Sequence, residues 1–380
     1  MLIFRDKTSK RGNVMIKEKL LERNLPELLV MNNGDPVTAE NWEQRRAELL
    51  DCLQKNLYGY TPPAPKQVRG VYTGTERWLT FGGKAKSELY DICFDTPGGE
   101  FSFPIKMTIP AHIEKPPVVV YLSFGNRYPV PIEEIVDDGF AVVEMHYHPV
   151  EHDENHPQDY FGHFIGGLGE KFFGGRQRKK TECGKVGLWA YAASRIMDYL
   201  QTREDINTER IAVAGHSRLG KTALWCKAQD SRFFLALGNN TNYGGGGLIR
   251  GHIGEDVPAF LAAGSFDFFC EGWKDFANVP HEELHFDQHF LLACHAPGLV
   301  YLTGATQDRG MDPMSEFLSC HAASEAYKLL GKQGLVSEDE MPAPLEALHE
   351  GEIGFHYRDG GHYFSRDDWK RFLAFFERHL

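Results

Sequence analysis

The stretch Ile211–Trp225, IAVAGHSRLGKTALW, decides how the chain folds. Its first residues, Ile211–Ala214, form an apolar run of the length and composition of a buried strand. Its last residues, Thr222–Trp225, favour a helix. Between them Ser217 sits on a Gly-His-Ser-Arg-Leu-Gly turn, with Gly215 before it and Gly220 after it. A strand entering such a turn delivers the serine to the carboxyl edge of a sheet. The turn leaves little room for side chains on either side, which favours glycine. The helix that follows points its free backbone N–H groups at the same place, where a developing oxyanion would be stabilised. Glycines alone would also make an ordinary tight turn. The strand before and the helix after are what favour a held-out nucleophile.

The surrounding sequence repeats the strand theme. PVVVYLSFGN from Pro117, GFAVVEMHY from Gly139, FFLALGNN from Phe233 and GLVYLTGAT from Gly298 read as buried strands. GLWAYAASRIMDYLQTR from Gly187 reads as a long helix. Short β-rich runs alternating with helices predict a mostly parallel sheet covered on both faces. With a strand–serine–helix turn, that pattern is the nucleophile elbow of an α/β-hydrolase fold. Upstream, Trp42–Leu57 carries an apolar helical stripe that Asn41 is placed to cap. From Val71 to Pro110 the period shortens towards two, with glycine breaks at 82–83 and 98–99, which predicts antiparallel hairpins. No linker composition interrupts the chain. The reading is therefore one domain, with residues 1–110 as an N-terminal extension and 111–380 as the hydrolase core.

Composition sets outer bounds. The 380 residues are 42% hydrophobic and 12% aromatic, enough for a large core, and 25% charged. The formal charge of -12 argues against a general nucleic-acid or anionic-membrane binder, because both need a basic patch. The first 24 residues hold no apolar stretch long enough for a signal peptide, and no run approaches a membrane span. The seven cysteines are scattered, with no CxxC pair, and read as reduced core residues. The expectation is a cytoplasmic protein.

A serine hydroxyl needs a base, and the base needs an orienting acid. In this fold the chain order is serine, acid, histidine. RDGGHYFSRDDW, from Arg358, offers His362 after two glycines and before a helix. YLTGATQDRGMDP, from Tyr301, offers Asp308 on the exit loop of a strand, with Asp312 as its rival. The order Ser217–Asp308–His362 follows. The loop Ser123–Asn126 is placed to help hold an oxyanion. The chemistry calls for no metal and no organic cofactor.

These residues resemble the glucuronoyl esterases, carbohydrate esterase family fifteen. GHSRLGKTALW matches the family's elbow, including its late second glycine. GNNTNYGGGGLIRGHIGED, LHFDQHFLLACHAPGLVYLTGATQD with DPMSEFL, and WEQRRAELL with LYGYTP are similar to further family segments, so the resemblance runs from about Trp42 onward. It implies Ser217 as nucleophile, His362 as base and Arg218 as an oxyanion contact. It implies that Lys221 and Glu255 bind hydroxyls of a glucuronate ring. Two positions depart from the pattern. Asn240 stands where many members carry the triad glutamate, and Asp308 matches the alternative acid position. Gly310 stands where the family has a sugar-facing tryptophan. The implied activity is hydrolysis of esters of glucuronic or 4-O-methyl-glucuronic acid on xylan-derived saccharides. The alternatives are an acetyl xylan esterase, or another carbohydrate ester hydrolase, and a carbohydrate-binding homologue whose triad has decayed. The expected partner is a small-molecule or oligosaccharide ester, with no nucleic acid and no membrane.

Three motifs invite other readings. HEELH, at 281–285, has the spacing of a zinc protease, but it lies between Pro280 and Phe286 without helical context. HYHPVEHDENH, at 146–156, is dense in histidine, yet polar loops after buried strands commonly are. YGGGGLIR, at 243–250, lacks the Lys-Ser/Thr ending of a phosphate loop and reads as backbone packed closely beneath the site.

Overall fold

A computed structural model describes residues 15–152, 164–263 and 267–380. Ten strands form one sheet in the order β1-β2-β3-β5-β4-β6-β7-β8-β10-β9. They are β1 (Val68–Thr80), β2 (Ala85–Thr96), β3 (Gly99–Pro110), β4 (Val118–Ser123), β5 (Ala141–His146), β6 (Ile211–His216), β7 (Leu235–Asn239), β8 (Leu299–Ala305), β9 (Ala347–Leu348) and β10 (Ile353–Arg358). The helices are α1 (Ile16–Arg23), α2 (Trp42–Leu53), α3 (Ile132–Asp137), α4 (Leu168–Phe173), α5 (Lys185–Leu200), α6 (Arg218–Gln229), α7 (Val257–Ala262), α8 (His289–Ala293), α9 (Pro313–Leu329) and α10 (Arg366–Arg378).

Strands β1–β3 form the antiparallel hairpins expected from the period-two pattern, and β3 pairs antiparallel with β5. From β5 through β4, β6, β7 and β8 to β10 every neighbouring pair is parallel. The chain runs from β4 outward to β5, then crosses back to place β6 on the other side of β4. That reversal creates a crevice beyond the carboxyl ends of β4 and β6, where open α/β sheets bind ligands.

Alternation along each central strand sorts side chains into two cores. Val118, Val120 and Leu122 of β4 join the core under α5, α6, α8 and α9. Val119 and Tyr121 join Trp369, Phe372 and Phe376 of α10 on the opposite face. Burial on both faces explains why these strands read as continuous apolar runs rather than alternating ones. The seven cysteines are free thiols. Among the described residues no helix is long and apolar enough to cross a membrane.

Two details at the second helix depart from the sequence reading. Asn41 does not cap α2 through its side chain. Its Oδ1 accepts instead from Thr38 N–H at 2.7 Å, tightening the turn before the helix. The α-helix also ends at Leu53, and Gln54–Tyr58 continue as one wider π-helical turn. There the Tyr58 hydroxyl donates to Gly244 O, and its ring stacks on Trp225 at 4.1 Å.

Candidate active site

Ser217 occupies the junction of β6 and α6 with φ 54° and ψ -127°. A side chain at this positive φ costs about 1–3 kcal/mol and persists only where neighbours enforce it. Here Ser217 N–H donates to Asn239 O at 2.8 Å, and Ser217 O accepts from Lys221 N–H at 3.0 Å. The flanking glycines are a steric necessity. A Cβ on Gly215 would run into the backbone of Leu219 and Gly220. One on Gly220 would lie 2.7 Å from Thr241 Cγ2 and 2.9 Å from Gly215 O. The two glycines face each other across the strand–helix corner, which accounts for the late position of the second.

Asp308 leaves β8 on a short turn and is largely buried. His362 follows β10 on the loop that leads into α10. Although they are 54 positions apart in the chain, His362 Nδ1 and Asp308 Oδ2 lie 2.6 Å apart. A carboxylate only accepts, so Nδ1 is the donor of this bond. Asn240 Nδ2 donates to the same carboxylate oxygen at 2.5 Å. Burial pushes the Asp308 carboxyl upward, but its bond to His362, the charge of His362 and the bond from Asn240 outweigh it. The net result lies below the usual carboxylate range. Asn240 thus bonds the acid rather than the histidine.

No hydrogen bond joins Ser217 Oγ to His362 among the described residues. The contact between the elbow and the His362 loop is made by the residue between Gly215 and Ser217. The His216 ring packs against the His362 ring, with centroids 4.4 Å apart. His216 is fully buried, and burial together with the neighbouring His362 holds its pKa down to about 3. Asn239 spends its amide N–H on Thr303 Oγ1, so Asn239 Oδ1 faces His216 Nδ1 as an acceptor at 2.5 Å. His216 is therefore neutral, with its proton on Nδ1.

The other sequence candidates separate clearly. Asp312 is a structural cap. Its carboxylate accepts from Ser315 N–H, Ser315 Oγ and Ile253 N–H at the start of α9, whereas the carboxylate bonded to His362 is that of Asp308. Lys221, one helical turn beyond Ser217, is 1% exposed and pairs with Glu255 at 2.6 Å. Its ammonium also lies over the Phe260 ring at 4.8 Å. Burial lowers the Lys221 pKa against the pull of Glu255. The Arg218 guanidinium lies over the rings of Phe268 and Phe124 at 4.8 and 5.9 Å, the latter in the loop after β4. In that loop Ser123 Oγ accepts from Gly125 N–H at 2.9 Å. Gly310 O accepts from Asn242 Nδ2 at 2.8 Å and Glu255 N–H at 3.4 Å. A Cβ on Gly310 would meet nothing within 4 Å among the described residues.

Comparison with known proteins shows the family. A family model described as glucuronyl esterase of fungi matches residues 92–331, well over half of the chain. The chain belongs to the glucuronoyl esterase family. It is a carboxylic ester hydrolase of that family. A carbohydrate esterase of an unknown prokaryotic organism is 28% identical, over 94% of this chain and 89% of that protein. A 4-O-methyl-glucuronoyl methylesterase of Schizophyllum commune is 28% identical, over 81% of this chain and 74% of that protein. The solved glucuronoyl esterase from Solibacter usitatus superposes with a TM-score of 0.82 at 30% identity, covering 93% of this chain and 97% of that one.

Within this glucuronoyl esterase the competing motifs find other uses. His281–Glu283 is a 3₁₀ turn rather than an α-helix. His281 packs on His252, while His285 Nε2 meets Asn56 Nδ2 at 2.9 Å, so the two histidines of HEELH serve different neighbours. Of the 146–156 stretch, His148 and His152 meet at 3.3 Å, and residues 153–156 lie outside the described residues. Among the described residues no three His, Cys, Asp or Glu side chains converge as a metal site. Glycines 244–247 pack closely on Phe269, Thr241, Leu302 and Asn242 beneath the site.

The sequence reading missed Glu316. This fully buried glutamate of α9 accepts from Thr241 N–H at 2.7 Å, Thr241 Oγ1 at 2.6 Å and Asn242 N–H at 2.9 Å, all through Oε1. It thereby fixes the loop on which Asn240 reaches Asp308. Asn240 and Asn242 both hold positive φ, at 50° and 37°. Nothing in DPMSEFL distinguishes Glu316 from an exposed helix glutamate; only its burial does.

Proposed function

We propose that this esterase cleaves the bond between the carboxyl of glucuronic or 4-O-methyl-glucuronic acid and an alcohol on a xylan-derived saccharide. His362 Nε2 takes the proton of Ser217 Oγ as the oxygen attacks the ester carbonyl. Asp308 keeps the imidazole in the tautomer that can accept that proton, and stabilises the imidazolium that forms. The backbone N–H of Arg218 at the start of α6, its guanidinium and the loop at Ser123–Asn126 stabilise the tetrahedral oxyanion. His362 then protonates the leaving alcohol. Water, deprotonated in turn by His362, releases the acid from Ser217.

The observation that carries this reading is the Asp308–His362 bond, whose histidine packs against His216, the residue before a serine at positive φ on a strand–helix corner. The acid side of the ester is supported by the Lys221–Glu255 pair one turn from Ser217, the two residues that the family resemblance assigns to ring hydroxyls, and by the activity named for the Schizophyllum commune relative. A broader reading, in which acetyl and other small esters are also cleaved, is favoured by Gly310, which has no side chain where the family pattern has a sugar-facing tryptophan.

The test is hydrolysis of benzyl glucuronate beside an acetyl ester by the wild type and Ser217→Ala. Cleavage of the glucuronate ester by the wild type is expected, with a loss of at least about ten-thousandfold in the variant. Cleavage of the acetyl ester alone would retain the mechanism and overturn the substrate. Cleavage of neither would remove the catalytic reading.

A further inference from the structure

The loop that carries His362 has little rigidity of its own. It is Asp359-Gly360-Gly361-His362-Tyr363, with Gly360 at φ 116°. Two adjacent glycines leave many backbone conformations open, yet a general base must be held to a fraction of an ångström. Something outside the loop must supply the restraint.

The Arg358 guanidinium, at the end of β10, is positioned to do so. Its Nη1 donates to Asp359 O at 3.1 Å, and its Nη2 donates to Gly361 O at 3.1 Å and to Tyr363 O. The last two carbonyls belong to the residues on either side of His362. A planar fork of five donors fits three carbonyls in this way, and an ammonium on a flexible stem does not. Gly360 accommodates the clamp, because a Cβ there would lie 2.9 Å from Arg358 Nη1.

The clamp is itself anchored. Arg358 Nε donates to both oxygens of Asp368 at 2.9 and 2.8 Å. Asp368 is fully buried and lies 2.7 Å from His356 Nε2. It also accepts from Ser365 N–H at 2.7 Å, closing the capping box of α10. Arg358 O in turn accepts from Thr306 N–H at 2.9 Å, next to the turn that bears Asp308. A capping box needs Ser365 and Asp368 alone. It gives no reason for an arginine that brackets one histidine.

We propose that Arg358, anchored on Asp368, is a positioning residue that fixes His362 for proton transfer. The inference rests on the reading of Ser217 and His362 given above. It predicts that loss of the fork slows the step needing the base while leaving substrate binding intact.

The experiment measures the rate at which a fluorophosphonate labels Ser217, together with kcat and KM on the best ester, for the wild type, Arg358→Ala and Arg358→Lys. Circular dichroism checks folding. Labelling and kcat of Arg358→Ala should fall about a hundredfold with KM little changed, and free ethylguanidinium should restore part of the rate. Labelling of a folded Arg358→Ala at the wild-type rate overturns the inference. If Arg358→Ala fails to fold, Arg358→Lys decides, since it keeps the charge and loses the fork. Slowed labelling with unchanged KM supports the clamp, and a wild-type rate refutes it. A wild type that is not labelled at Ser217 brings down the catalytic reading, and this inference with it.

Discussion

Glu316 shows how one buried side chain serves the site without touching substrate. Burial raises its pKa to about 8, against the hydrogen bonds it accepts from Thr241 and Asn242; Asp308, Lys221 and Cys320 are its charged or titratable neighbours. The consequence for stability has a definite sign. Unfolded, the carboxyl ionises near its ordinary pKa of about 4.3. Folded, it holds its proton until about pH 8. Between those values the unfolded chain releases a proton that the folded chain keeps, so rising pH favours unfolding. Glu316→Gln keeps the accepting oxygen and cannot ionise. Its urea midpoint relative to wild type should therefore climb between about pH 5 and about pH 8; parallel midpoints over that range would contradict the burial argument. Asp308 and His362 were legible in the sequence because each follows a recognisable strand or glycine loop in the expected chain order. Glu316 and Arg358 were not, because their roles depend on which backbone groups the fold brings to them.

At the scale of elements, the corner between β6 and α6 was the most legible part of the chain. Its glycines are demanded by contacts within ten residues, apart from those with Thr241 and Asn239. Alanine normally suits a helix better than glycine by about 1 kcal/mol. At Gly220 the clash with Thr241 and Gly215 should reverse that gain, so Gly220→Ala is expected to destabilise by about 1–3 kcal/mol. Gly215→Ala, which strikes only backbone, should cost more. Urea unfolding of both variants measures this, and a stabilised Gly220→Ala would show that the corner can relax. The failures at this scale were local as well. Asn41 turned its side chain to Thr38 rather than to α2, a choice between two nearby backbone N–H groups that spacing cannot make. Strand β10 escaped notice because Ile353–Arg358 is short and carries His356 and Arg358. Those polar residues are satisfied by Asp368 twelve and ten positions on.

For the whole molecule, the sheet order explains why residues scattered over 146 positions meet. Ser217, Asn240, Asp308 and His362 all follow the carboxyl ends of neighbouring parallel strands, β6, β7, β8 and β10. Strand-and-helix alternation made that architecture readable. The acid was read as Asp308 with Asp312 as its rival; in the fold Asp308 bonds His362 while Asp312 caps α9. With Asn240 unable to carry charge, Asp308 is the sole carboxylate bonded to His362 among the described residues. The most direct measurement is therefore kcat for Asp308→Asn beside Asn240→Ala on the same ester. Asp308→Asn should lose about ten-thousandfold, since an amide cannot hold the required tautomer or stabilise the imidazolium. Asn240→Ala removes one hydrogen bond to the acid and should lose about ten- to a hundredfold. Near-wild-type turnover in Asp308→Asn, or a greater loss in Asn240→Ala, would contradict the assignment of the acid.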